Sequence, residues 1–154
     1  MNHLSFQVEP FAAFVEEVKP LLPRHWEELA LDKETVPLDP DYQRYANLDA
    51  IGALSVVTAR ENGRLVGYSI MVVQPGLHYQ SCLEARMDIF WLAPEVRGRM
   101  GGVRLFRAVE RELRRRGVQR IYAGSKLHKD SSRLFLALGY RPIEQWFSKM
   151  LTEG

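Results

Sequence analysis

The 154-residue sequence predicts an α/β domain, a mixed sheet with helices on its faces. Three observations predict it. Residues 83–123 read as strand, helix and strand, a crossover unit of the kind that joins parallel strands. Asn62-Gly63 separates two β-rich apolar runs, the strongest short hairpin signal. Apolar residues at helical spacing fill two short stretches between residues 10 and 30.

Element by element, Leu4, Phe6 and Val8 alternate with polar residues and predict a first strand. Pro10 suits a helix start, and Phe11, Phe14, Val15 and Val18 make the apolar stripe of a helix that Pro20 ends. Pro23 opens a second helix carrying Trp26, Leu29 and Ala30 on one side and Glu27 and Glu28 on the other. Residues 32–47, interrupted by Pro37 and Pro40, read as a loop with a turn of helix around 41–45. Strands follow over 53–60, 65–73 and 82–92, with Pro75-Gly76 in a turn between the last two. Residues 103–116 form the clearest helix. Leu105, Phe106, Val109 and Leu113 make its stripe, and Glu110-Arg114 and Glu112-Arg116 are favourable pairs four apart. Gly117 is its cap, 119–123 a strand, 130–138 a short helix begun by Asp130 and ended by Gly139, and 140–151 a final extended segment.

Composition narrows the function classes. Hydrophobic residues at 46% and charged residues at 26% argue against wholesale disorder. A formal net charge of +2 gives no reason to expect nucleic acid, and Arg114-Arg115-Arg116 ends a helix, where cations favour the dipole. One cysteine, Cys82, permits no intrachain disulfide. The four histidines show no metal-ligand spacing, and no apolar run suits a signal peptide or a membrane span. The expectation is a soluble cytoplasmic protein of one domain, 1–154, without a metal.

The stretch from Asp88 to Gly102, Asp-Ile-Phe-Trp-Leu-Ala-Pro-Glu-Val-Arg-Gly-Arg-Met-Gly-Gly, carries the chemistry. A buried strand runs into a Gly-rich basic turn and then a strong helix. Glycines permit close backbone approach, and a helix N-terminus offers free N–H groups to an anion such as a pyrophosphate. Arg97 and Arg99 add charge. There is no Gly-x-x-x-x-Gly-Lys-Ser/Thr, and no Gly-x-Gly-x-x-Gly after a first strand.

The segment Leu92 to Gly102, followed by Leu105, resembles the acetyl-CoA signature of the GNAT N-acetyltransferase superfamily, Arg/Gln-x-x-Gly-x-Gly/Ala between a strand and a helix. Arg97 matches its first position and Gly102 its last, and Met100 replaces the central glycine. Gly117-Val118 and the run Leu136-Ala137-Leu138-Gly139-Tyr140 are also similar to that superfamily. Shorter pieces, among them His25-Trp26-Glu27-Glu28, Leu77-His78-Tyr79 and Asp88-Ile89-Phe90, resemble small GNAT-like proteins encoded by bacteriophages.

The resemblance implies a GNAT-like, mostly antiparallel central sheet of about six to seven strands with four helices. It implies acetyl-CoA as acyl donor and an amine acceptor that attacks the thioester directly in a ternary complex. The acceptor stays open between a small molecule, a protein and a modified nucleobase. Carried onto this chain, the donor site comprises Phe90, Trp91, Leu92, Arg97, Gly98, Arg99, Met100, Gly101, Gly102, Val103, His128, Ser132 and Phe135.

Asp88 is the candidate base. Strict alternation puts it on one face with Leu92, and desolvation among Met87, Ile89, Phe90 and Trp91 would strengthen it as a base. Glu28 and Glu27 are second candidates, and His78 or Tyr79, just before the same strand, are candidate proton relays. Relatives often carry an acidic tyrosine where this chain has Phe135. That leaves Tyr79, Tyr122, Tyr140 or water as acid, a thiolate that departs unassisted, or lost catalysis. An acyl-Cys82 route lacks a placed histidine. The alternatives to an enzyme are a non-catalytic CoA-binding module and a nucleic-acid-associated protein. The edge after Tyr140 can pair two chains as a homodimer.

Overall fold

The computed structural model describes residues 3–152. Its element order is β1 (Leu4–Val8), α1 (Phe11–Val18), α2 (Leu22–Leu29), α3 (Tyr42–Ala50), β2 (Leu54–Glu61), β3 (Arg64–Pro75), β4 (Leu83–Leu92), α4 (Pro94–Arg97), α5 (Gly101–Arg115), β5 (Arg120–Tyr122) and α6 (Ser132–Ala137). The strands lie in sequence order in one sheet. β1 through β4 are antiparallel, and β4 pairs parallel with β5 through the crossover that α5 makes.

Two local signals act as expected. Asn62 (φ 50) and Gly63 (φ 83) take the left-handed conformation that a two-residue hairpin needs. Gly117 (φ 84) ends α5. β2 and β3 are buried along nearly their whole length because helices cover both faces. Phe14 of α1 and His25 of α2 pack on Tyr68, and Phe106 of α5 packs on Phe90 from the other side. Asp41 caps α3 by accepting from the Arg44 N–H at 2.9 Å. Pro10 cannot cap α1 with its side chain, and Asp49 of α3 does so instead, accepting from the Phe11 N–H at 3.0 Å.

The described residues hold five strands and six helices, where six to seven strands and four helices were expected. The extra helices are α3 and the single turn α4. α3 has no fully buried residue, so no apolar stripe announces it. α4 is the entry of the Gly-rich turn, begun by Pro94. The missing strand is 140–151, which pairs with no strand among the described residues.

Candidate active site

The site is built where β4 outruns β5. Their ladder joins only Glu84, Ala85 and Arg86 to Arg120, Ile121 and Tyr122. From Met87 to Leu92 the edge of β4 that faces β5 has no strand beside it, which leaves backbone N–H and C=O groups for an extended ligand.

β4 also carries a bulge. Ile70 pairs with Ile89 and Met71 with Met87, so Asp88 is an extra residue with no partner on β3. The bulge corrects the expected facing. Phe90 points to Phe106 of α5, with ring centroids 5.1 Å apart, and Leu92 packs beneath Gly67 and Gly101. Asp88 instead accepts a hydrogen bond from the Tyr45 hydroxyl of α3, on the side of the sheet that Ile89 faces. The Asp88 side chain is exposed, not enclosed among its apolar neighbours as expected. Burial, and then the bond to Asp88, raises the Tyr45 phenol above its ordinary range, so it stays a donor at neutral pH.

On this face a cavity of about 400 Å³ opens between α1, α2, the loop 30–40 and α3, over Ile70 and Ile89 of the sheet. Its walls are mostly apolar, from Phe11, Phe14, Trp26, Leu29, Val36 and Leu38, with Tyr45, His25, Asp39 and Lys126 as polar members. Sequence reasoning gave His25 no role. It is buried with Nδ1 2.7 Å from the Tyr68 hydroxyl, and burial lowers its pKa to about 4, so the ring is neutral at pH 7. Its neighbours Arg24, Glu27 and Glu28 gave no hint of this.

At the far end of β4 the chain enters α4 and then the turn before α5. Met100 adopts φ 57, ψ 22, the left-handed region, and no side chain caps α5. The first N–H groups of this fifteen-residue helix are therefore free for an anion. Gly101 is required sterically, because a Cβ there would lie 2.7 Å from the Val96 carbonyl oxygen. A Cβ at Gly102 would stand 3.2 Å from Leu134 of α6. Glycines at the turn, uncapped amides and the open edge of β4 together fit a long ligand with an anionic end.

The two turn arginines are engaged. Arg97 donates to the Leu92 carbonyl at 2.8 Å and to Glu28 at 2.5 Å, and Arg99 donates to Glu61 at 2.5 Å. Glu28 also accepts from the Trp91 indole at 3.1 Å. The Arg97 bond, ahead of the Trp91 bond, holds the Glu28 pKa low, so this carboxylate is a firm anchor and a weak base. Glu27 is exposed and pairs only with Lys33, at 3.5 Å.

The remaining expected residues lie apart from one another. His78 and Tyr79 are exposed in the β3–β4 turn, at the opposite end of the ten-residue β4 from the glycines. Cys82 shares that turn. His128 is exposed in the loop before α6, Ser132 is exposed at the start of α6, and Val103 is half-buried in the first turn of α5. Asp130 accepts from the Ser132 N–H at 2.9 Å, which caps α6. Phe135 is buried against Phe90 and Phe106 at 5.9 and 5.1 Å. No group of acidic, histidine or cysteine side chains suited to a metal occurs among the described residues, and no helix there is long and apolar enough to cross a membrane.

Solved structures share this fold across nearly the whole chain. A ribosomal-protein-alanine N-acetyltransferase from Brucella melitensis biovar Abortus 2308 superposes with a TM-score of 0.73 at 18% identity, covering 99% of each chain. Glucosamine-6-phosphate N-acetyltransferase from Arabidopsis thaliana gives 0.72 at 10% identity, covering 97% of this chain and 99% of that one. A predicted acetyltransferase with acetyl-CoA from Clostridium acetobutylicum gives 0.67 at 15% identity, covering 97% of both. None of the curated proteins compared matches in sequence. The model of the Acetyltransferase (GNAT) family matches residues 16–140. With most of the chain inside that match, and the turn, helix and open strand edge in place, the chain belongs to the GNAT acetyltransferase family and is an N-acetyltransferase with acetyl-CoA as its donor.

Proposed function

We propose that this chain acetylates a primary amine borne on a compact apolar body, which the cavity between α1, α2 and α3 receives. The observation that carries this reading is the apolar lining of that cavity, which opens beside Tyr45 and Asp88. A polycationic acceptor finds no dense acidic wall there, since Asp39 is its one carboxylate. Acetyl-CoA supplies the acyl group as a thioester. The open edge of β4 and the α5 amides hold that donor in this reading, with Gly98, Gly101, Gly102 and Val103 keeping the turn close.

Asp88 is the group that takes the proton from the acceptor ammonium, directly or through water, and Tyr45 fixes its orientation. Phe135 is sealed in an aromatic cluster and gives no proton. The thiolate leaves unassisted, which a thiol of ordinary pKa about 8.5 permits. Cys82 lies just before β4, at the opposite end of that strand from the Gly-rich turn, which favours direct attack in a ternary complex over an acyl-enzyme. A cytoplasmic setting is part of the same proposal. The likeness to bacteriophage-encoded members rests on the short sequence pieces alone.

The test is an acetyl-transfer assay over aliphatic, aromatic and aminoglycoside amines, with Asp88→Asn alongside. Transfer to the apolar amines, intersecting initial-velocity lines and a loss of about 10²–10⁴ in kcat for the variant, with acetyl-CoA binding unchanged, are expected. Preference for aminoglycosides, or full activity in Asp88→Asn, would overturn the acceptor or the base respectively. Gly102→Glu is expected to abolish acetyl-CoA binding in a calorimetric titration, since it crowds Leu134 and sets a negative charge at the α5 amides.

A further inference from the structure

The cavity between α1, α2 and α3 holds two polar groups that the proposed chemistry does not use. The first is His25, which is 8% exposed, with Nδ1 2.7 Å from the Tyr68 hydroxyl. Tyr68 is wholly buried, and its hydroxyl has no other partner among the described residues. A buried hydroxyl proton without an acceptor is costly, so Tyr68 donates and Nδ1 accepts. The single proton of the neutral ring therefore sits on Nε2. Nε2 makes no hydrogen bond among the described residues, yet it is not sealed away from the accessible surface, and the surface that His25 lines is the cavity. A nearly buried ring thus aims an N–H donor into a mostly apolar chamber. With Nδ1 engaged and Nε2 already protonated, the ring is placed to bind a ligand oxygen and not to act as a base.

The second group is Lys126. The turn 126–129 carries it to the cavity wall, closed by the Lys129 N–H donating to the Lys126 carbonyl at 3.2 Å and braced by Ser125 Oγ donating to Asp130 at 3.0 Å. Its neighbour Lys129 pairs with Glu28 at 3.9 Å, whereas Lys126 has no ion pair among the described residues. Burial is the main cause that keeps the His25 ring neutral, and the charges of Arg97 and Lys126 act the same way against Glu28, so the Lys126 ammonium is felt at the ring. One cation and one neutral donor suit a monoanion, while a phosphate dianion calls for more positive charge than one lysine supplies. The negative groups here are Asp39, exposed in the wall, and Asp88 beside the cavity, and they suit an ammonium. Charges of both signs over apolar walls match a zwitterion with an apolar body.

We propose that the acceptor is an apolar α-amino acid, its carboxylate bound by His25 Nε2–H and the Lys126 ammonium and its side chain held by the apolar walls. The proposal rests on the reading that this cavity receives the acceptor, and it narrows that acceptor from amines to amino acids. The ammonium gives one proton to Asp88, the freed amine bonds to the acetyl carbon, and the C–S bond breaks with its electron pair on sulfur. The products are the N-acetyl amino acid and the CoA thiolate, and the surplus amine proton passes to solvent.

The experiment compares acetyl transfer to L-phenylalanine, phenylalanine amide and phenethylamine, which share one apolar body, by the wild type, Lys126→Gln and His25→Phe. The wild type is expected to favour L-phenylalanine over phenethylamine by about 10–100-fold in kcat/KM, the scale of charge-assisted hydrogen bonds, and chiefly through KM. The amide keeps a carbonyl for His25 and loses the charge for Lys126, so it is expected to fall between. In Lys126→Gln the preference for L-phenylalanine over the amide is expected to vanish. In His25→Phe the preference for the amide over phenethylamine is expected to vanish. Lys126 is exposed, so its variant keeps the fold, and circular dichroism checks His25→Phe. Phenethylamine used as well as L-phenylalanine by the wild type would overturn the carboxylate and leave the cavity reading standing. A preference that Lys126→Gln does not move would overturn the assignment of the binding groups. Transfer to none of the three would overturn the proposal, and transfer to aminoglycosides in their place would overturn the reading beneath it as well.

Discussion

Met100 holds a backbone conformation that an L side chain adopts at a cost of about 1–2 kcal/mol. Its side chain is exposed and compensates with little packing. Glycine relieves the strain but adds freedom to the unfolded chain, so Met100→Gly is expected to stabilise by roughly 0.5–1 kcal/mol in urea unfolding, with Met100→Ala near neutral. Equal midpoints for the two variants would contradict the argument. His25 carries a pH signature. Its pKa falls from 6.5 to about 4 on folding, chiefly by burial, so the unfolded chain binds the extra proton between those values. Its contribution to stability is therefore whole above pH 6.5 and lost as pH falls through about 4. His25→Gln is expected to flatten the stability profile over that window, read as chemical-denaturation midpoints from pH 7 to 4. The role of His25 was not legible because a lone histidine among Arg24, Trp26, Glu27 and Glu28 names no buried partner. Tyr68 lies 43 residues away and meets it only through the β3–α2 packing.

Among the elements, α5 is the one the sequence described most fully, because a strong apolar stripe and a glycine cap state its limits locally. Its charged pairs are present as expected, Glu110 with Arg114 at 3.4 Å and Glu112 with Arg116 at 2.9 Å. Arg116 also donates to the Leu54 carbonyl at 2.7 Å, pinning the end of α5 to β2. The hydrogen bonds from Arg115 and then Arg116 lower the Glu112 pKa from 4.5 to about 2. The stability this supplies is present above pH 4.5 and lost as pH falls through about 2. Partly exposed arginine partners limit it to roughly 1 kcal/mol. Glu112→Gln is expected to lower stability by that amount at pH 7 and by nothing near pH 2, as read from urea midpoints. α3, legible only as a turn of helix around 41–45, and the β4 bulge, not legible at all, escaped for a shared reason. α3 has no fully buried residue, and its Asp49 serves a helix 38 residues earlier. The bulge at Asp88 exists only against β3, and strict alternation along β4 gives Asp88 the opposite face.

At the scale of the molecule, the order of the five strands and of α1, α2 and α5 was readable from local turn and capping signals, whereas α3 and α4 were not elements of that reading. The Gly-rich turn before α5 was readable as a turn because its residues are contiguous. The cavity was not, because its walls come from three helices, a proline-interrupted loop and two strands that only tertiary packing assembles. The tail reads from sequence as a final extended segment, and among the described residues it pairs with no strand of the sheet.

The Asp49 cap on α1 has a mechanical consequence. It ties α3 to α1, so those two walls of the cavity form one jaw, while α2 and the loop 30–40 make the remaining walls. In the proposed reading, acceptors enter past the loop 30–40, which Pro37 and Pro40 stiffen, while the jaw of α1 and α3 stays shut. Exchange of the Phe11 amide is expected to stay slow with or without acceptor, and exchange across 31–39 to slow on binding. Breaking the tie with Asp49→Ala loosens the jaw, and a loose jaw admits bulkier amines.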